Sequence, residues 1–143
     1  MKPIRHIQQW DQRSCVTACL FMMTDLEVIP ELKRAIDNLY KRSGNIHACC
    51  SLLSIPARTV NWPAGQWIEE GGIYLVYAVK ETEFHALIVD CRGSEPVVHD
   101  PARGWGDGEF VWGDPEPCSG QRPLRNSMYI PALRFMDKNW YNH

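Results

Sequence analysis

The sequence predicts an α+β fold, N-terminal helices packed on an antiparallel β-sheet, and three observations carry that prediction. Apolar residues recur at helical spacing as far as about residue 53, and the stretches after Pro56 are short β-rich runs cut by glycine, proline or charge. The two kinds of segment do not alternate, which argues against βαβ units and a parallel sheet. A chain of 143 residues can bury one core and is short for two, so a single domain over 1–143 is expected.

Each element has its own local reason. Over 14–27, Cys15, Cys19, Met22, Met23 and Leu26 recur at helical spacing, with Ser14 placed to cap the helix. Pro30 and Glu31 open a second helix that runs to about Arg42, because proline fits a first turn, and Ser43-Gly44 closes it. A third, shorter helix is expected over 46–53, with Asn45 as its cap. Strands are expected over 58–62, 73–79, 83–91, 96–100 and 127–135, and Gly71-Gly72 reads as a turn. The stretch 101–123 is dense in Gly, Pro and Asp yet holds Trp105, Phe110 and Trp112, so one short strand is expected within it at 109–112.

Composition removes several function classes. No run approaches the roughly 18 consecutive apolar residues of a membrane span, so no membrane partner is expected. A net charge of -2 supplies no broad field for holding a phosphate backbone, which argues against nucleic acid. No apolar run follows the basic first residues, so no secretory signal is read and a cytoplasmic location is expected. The six cysteines then read as reduced thiols. Adjacent Cys49 and Cys50, with His47 nearby and Cys118 and His143 further on, raise a zinc site, but paired Cys-x-x-Cys or His-x-x-x-His knuckles are missing. Neither metal nor cofactor is expected.

The chemistry concentrates on Cys15. It opens the first helix, where unpaired N–H groups and the helix dipole favour a thiolate, whereas Cys19 lies one turn deeper and reads as core. The plain alternative for Cys15 is also a buried core cysteine. In a regular strand His85 shares a face with Leu87 and Val89 and points inward, which makes it the best placed base, although an inward histidine is also a common core residue. His6 and His143 lie near the termini, His47 falls in a short helix and His99 adjoins an aspartate.

A base of this kind needs a partner for its second ring nitrogen. Asp90 is five residues from His85 and points to the opposite face. Asp100 closes the next strand, and pairing of 96–100 with 83–90 through the turn at Arg92-Gly93-Ser94 would return it to His85; otherwise Asp100-Pro101 is an ordinary turn starter. Gln9, six residues before the cysteine, can offer a side-chain amide to an oxyanion, and Gln8 and Gln12 compete with it on these grounds.

These motifs resemble the papain-like cysteine peptidases that process double-glycine leader peptides, found as N-terminal domains of bacteriocin exporters and as free-standing relatives. The match runs in order through Gln9, Cys15, Ala18-Cys19-Leu20, His85-Ala-Leu-Ile-Val and Asp100-Pro-Ala-Arg-Gly104, and covers most of the chain. The resemblance implies a papain-like fold, with Cys15 as nucleophile, His85 as base, Asp100 as its orienter and Gln9, in preference to its neighbours, as oxyanion donor. Val16 stands where the family generally has glycine, so substrate approach near the nucleophile is expected to differ. The expected activity is a cysteine peptidase acting on a peptide or protein amide. A glutamine deamidase or transamidase using the same residues, and a non-catalytic peptide-binding module, are the two alternatives.

Overall fold

The computed structural model describes residues 2–60, 68, 70–79, 84–105, 108–125 and 128–141. Three helices lead, α1 (Cys15–Met22), α2 (Pro30–Ser43) and α3 (Ile46–Leu52). Among the described residues seven strands follow, β1 (Ala57–Thr59), β2 (Ile73–Val79), β3 (Phe84–Asp90), β4 (Val97–His99), β5 (Phe110–Trp112), β6 (Arg122–Leu124) and β7 (Tyr129–Phe135), and then a 3-10 turn at Lys138–Trp140. Five strands form one antiparallel sheet in the order β1-β7-β2-β3-β4, and β5 pairs with β6 in a small parallel ribbon. The architecture is mixed α+β, as the segregation of helical and β-rich runs implied.

Helix α1 is shorter than its sequence pattern. It stops at Met22, where side chains take the open Phe21 carbonyl: Thr24 Oγ1 and Arg5 Nη2 each donate to Phe21 O at 3.0 Å, and Arg5 Nη2 also holds the following segment by donating to Leu26 O at 2.6 Å. Leu26 therefore lies beyond the helix and is exposed. Every residue of α1 from Val16 to Met22 is buried, so the helix is surrounded by protein on all sides and carries no polar face. Ser14 does occupy the N-cap position, but its hydroxyl makes no cap bond. Instead it ties the preceding turn, accepting from the N–H groups of Trp10 at 2.9 Å and Asp11 at 3.1 Å.

Helix α2 begins with proline and ends at Gly44, whose φ of 60° lies in the left-handed region and whose N–H bonds Tyr40 O at 2.8 Å. Asn45 Oδ1 caps α3 by accepting from Ala48 N–H at 3.1 Å, and this helix delivers Cys49 and Cys50 into the core. Replacing Asn45 by alanine should cost about 1 kcal/mol, read as a lower urea midpoint with unchanged slope.

The two central strands are buried on both faces, which is why Ile73–Val79 and Phe84–Asp90 read as nearly continuous apolar runs. One face, with Ile73, Leu75, Ile88 and, from β7, Leu133 and Phe135, packs on Cys19, Leu20 and Phe21 of α1. The other, with Tyr74, Val76, Leu87, Val89 and Tyr129 of β7, is covered by Phe110 of β5 and Leu124 of β6. The glycine-rich stretch after Asp100 is thus a cover for the second face, and it contains one strand, β6, that the sequence pattern did not announce.

Gly71 and Gly72 form the expected turn, closed against Cys91 by two backbone bonds of 2.8 Å. A Cβ on Gly72 would sit 2.6 Å from the Tyr74 ring, so a side chain has no room there. Of the first, third and fifth expected strands, residues 61–62, 83 and 127 lie outside the described residues. Among the described residues, no helix is long and apolar enough to cross a membrane.

Candidate active site

The β3–β4 hairpin forms in the expected sense, with Ile88 opposite His99, Val89 opposite Val98 and Asp90 opposite Val97. Pairing stops at Ile88, so β4 leaves the first half of β3 uncovered. Helix α1 lies against that free half, and Cys19 Sγ donates to Ala86 O at 3.5 Å. The chain leaves β4 at His99, and the next residue, Asp100, turns back toward the uncovered half of β3. There its Oδ1 accepts from His85 Nε2 at 2.7 Å.

Asp100 is fully engaged. Oδ1 also accepts from Ala102 N–H at 2.9 Å and Oδ2 from Phe110 N–H at 2.9 Å, while the residue is only 2% exposed. Burial pushes the carboxyl upward, but the His85 hydrogen bond and charge and the two backbone N–H groups outweigh it, and it stays below the ordinary carboxylate range. Asp100 is therefore an acceptor at neutral pH.

His85 is buried on the sheet face shared with Leu87 and Val89, and its ring lies 6.1 Å from that of Phe110 at an interplanar angle of 27°. Burial pulls the imidazole down, yet the hydrogen bond to Asp100, followed by the interaction with Cys15, raises its pKa to about 9. With Nε2 committed to Asp100, Nδ1 is the nitrogen left for the thiol. Cys15 lies near enough to the imidazole to contribute to that rise.

Cys15 is the one residue of α1 that reaches the surface; its side chain is half-buried while Val16 to Met22 are sealed. Cys19 is fully buried, and desolvation first, then the nearby Cys15 and Asp100, hold its thiol protonated. Val16 points into the core among Leu20, Ile88 and their neighbours, so its bulk is turned away from solvent. All six cysteines stand unpaired.

Gln9 is 4% exposed, and its backbone N–H bonds Pro101 O at 2.8 Å, which fastens the segment before α1 to the residue after Asp100. Its Nε2 donates to Asp11 O at 2.9 Å, leaving that nitrogen a second proton, and its buried Oε1 has no protein partner. The competitors are elsewhere: Gln8 pairs with His6 Nε2 at 2.8 Å and Gln12 is exposed. Asp90 is bound by Arg92 through Nε at 2.9 Å and Nη2 at 2.8 Å, and has no part in orienting His85.

Three features were not visible in the sequence pattern. Tyr40 and Tyr77 hydroxyls bond at 2.9 Å, and Tyr77, its phenol held protonated chiefly by burial, lies near enough to Cys15 to feel its charge. Phe110, which the sequence placed in a short expected strand without linking it to the site, contacts both Asp100 and His85. Arg5 closes the far end of the helix that carries Cys15. The thiols of the zinc reading are dispersed: Cys49 and Cys50 are in the core, burial raising Cys50 to about 12, Cys118 is exposed, and His143 lies outside the described residues. Among the described residues no three His, Cys, Asp or Glu side chains gather as a metal site.

A half-exposed thiol, an imidazole and a buried carboxylate thus stand in series at the junction of α1, β3 and the turn after β4. Comparison of the chain with protein-family models, with curated proteins and with solved structures finds no match.

Proposed function

We propose that the chain is a cysteine peptidase, a thiol hydrolase acting on a peptide or isopeptide amide, of the papain-like kind that its motifs resemble. The observation that carries this reading is the 2.7 Å bond from His85 Nε2 to Asp100, which leaves the other ring nitrogen to the half-exposed Cys15. A core cysteine would be sealed like Cys19, whereas Cys15 is not.

In this reading the Cys15 thiol proton passes to His85 Nδ1, Sγ attacks the amide carbonyl carbon and the C=O electron pair moves onto oxygen. The second Nε2 proton of Gln9 and a backbone N–H at the start of α1 receive that oxyanion. When the tetrahedral species collapses, the C–N bond breaks and His85 gives its proton to the leaving nitrogen. Water then attacks the thioester, His85 takes its proton, and the acid product leaves with Cys15 regenerated. Asp100 keeps the imidazole in one tautomer and orientation throughout.

Cys15→Ala should abolish labelling by an electrophilic thiol probe, whereas Cys19→Ala should leave it intact. Equal labelling of the two variants would remove the assignment. Intact-mass measurement of peptides, including glycine-glycine sequences, then separates outcomes: cleavage gives two fragments, and glutamine deamidation gives one chain heavier by about 1 Da.

A further inference from the structure

Residues 108–124 do more than cover the sheet. Phe110 sends its backbone N–H to Asp100 Oδ2 at 2.9 Å, and its ring packs near-parallel to the His85 imidazole at 6.1 Å. A single residue therefore touches two members of the thiol–imidazole–carboxylate series, one through its backbone and one through its side chain.

Phe110 is in turn clamped by Arg122. The guanidinium carbon of Arg122 lies 4.1 Å from the centre of the Phe110 ring, a cation–π distance. Arg122 Nε donates to Gly108 O at 3.0 Å, and Arg122 N–H donates to Glu109 O at 2.8 Å. Residues 108, 109 and 110 are thus each held by the same arginine, within the parallel pairing that sets Phe110 beside Arg122. The two segments approach so closely that a Cβ on Gly108 would fall 1.7 Å from Gly120 O, and Gly108 has a φ of 99°.

We infer that Arg122 and Phe110 are positioning residues of the Cys15–His85–Asp100 site: Arg122 fixes residues 108–110, so that Phe110 holds the Asp100 carboxylate and the His85 ring in the orientation that joins them. The inference rests on the peptidase reading for its catalytic consequence, but its structural content concerns His85 alone and can be read without a substrate. An arginine outside the site, reaching it through a phenylalanine, governs how firmly the base is held.

The test follows the His85 ring by NMR across pH in the full chain, alongside probe labelling of Cys15. Arg122→Ala should shift the His85 titration midpoint downward from its wild-type value by about one pH unit and slow labelling of Cys15 by roughly tenfold. Arg122→Lys, which restores a cation and an aliphatic stem above the ring, should recover part of both. Should Arg122→Ala not fold, Phe110→Leu keeps the backbone donor to Asp100 and removes only the ring; it should lower the His85 midpoint by roughly half a pH unit and broaden its resonance. A folded Arg122→Ala or Phe110→Leu protein with an unchanged His85 titration and unchanged labelling overturns the inference. A shifted midpoint in a protein that cleaves no peptide upholds the clamp and removes the peptidase reading instead.

Discussion

Asp100→Ala is expected to lower amide hydrolysis by on the order of a thousandfold or more and to destabilise the fold by about 3–5 kcal/mol. Both effects follow from the same three bonds. The carboxylate accepts from His85 Nε2, Ala102 N–H and Phe110 N–H, and alanine leaves all three donors buried without an acceptor. Loss of the acceptor also removes the first influence that raises His85, while burial remains and pulls it down, so its titration midpoint should fall from about 9 toward the ordinary value of 6.5 or below. Denaturant midpoints, hydrolysis rates and the His85 NMR titration check the three parts separately. Asp100→Asn sharpens the test, because one amide oxygen can still receive His85 Nε2 while the NH2 group is then turned on the Phe110 N–H. Asparagine should restore part of the rate and little of the stability. An Asp100→Ala protein with wild-type stability and an unmoved His85 would show that the carboxylate is not the group that holds the ring.

The residues of this site were legible in the sequence because each sits where local rules act. Cys15 follows a cap position, His85 falls on the inward phase of a strand, and Asp100 lies past a short turn whose hairpin returns it to that strand. Period-two alternation also sets Asp90 apart correctly, since its carboxylate is bound by Arg92. Resemblance to a peptidase family picked Gln9 over Gln8 and Gln12, and burial separates the three in the same direction. The oxyanion role proposed for Gln9 rests on one remaining amide proton, because the other is spent on Asp11 O.

What was not legible depends on long-range partners. The end of α1 is set by Arg5, 16 residues before the Phe21 carbonyl it caps, and no periodicity encodes such a bond. Helical spacing carried on through Leu26, but a helix buried on every side has no polar face whose loss would mark its end. Strand β6 is three residues containing a proline, Arg122-Pro-Leu, and pairs in parallel with β5 across a glycine-rich turn. Neither composition nor alternation identifies a strand of that kind, and with it went the link from Arg122 through Phe110 to the site.

His85→Gln should abolish amide hydrolysis in practical terms and should change stability in a way that depends on pH with a defined sign. The folded imidazole titrates at about 9 against an ordinary 6.5, so its contribution is fully present below 6.5 and is lost as pH rises through about 9. The full span corresponds to roughly 3 kcal/mol, or on the order of 10 °C in Tm for a chain of this size. Asp100 runs the other way: held below its ordinary 3.8, it stabilises above that value and loses its effect as pH falls through the folded carboxyl's range. The gap in Tm between wild type and His85→Gln should therefore be widest from about pH 4 to 6.5 and should narrow steadily from 6.5 to about 9. Thermal melts of both proteins in matched buffers at half-unit steps measure it. A gap that stays constant across that upper interval would mean that the imidazole carries no extra proton in the folded chain, and the proton for the leaving amine would then have to come from the Cys15 thiol through a neutral ring.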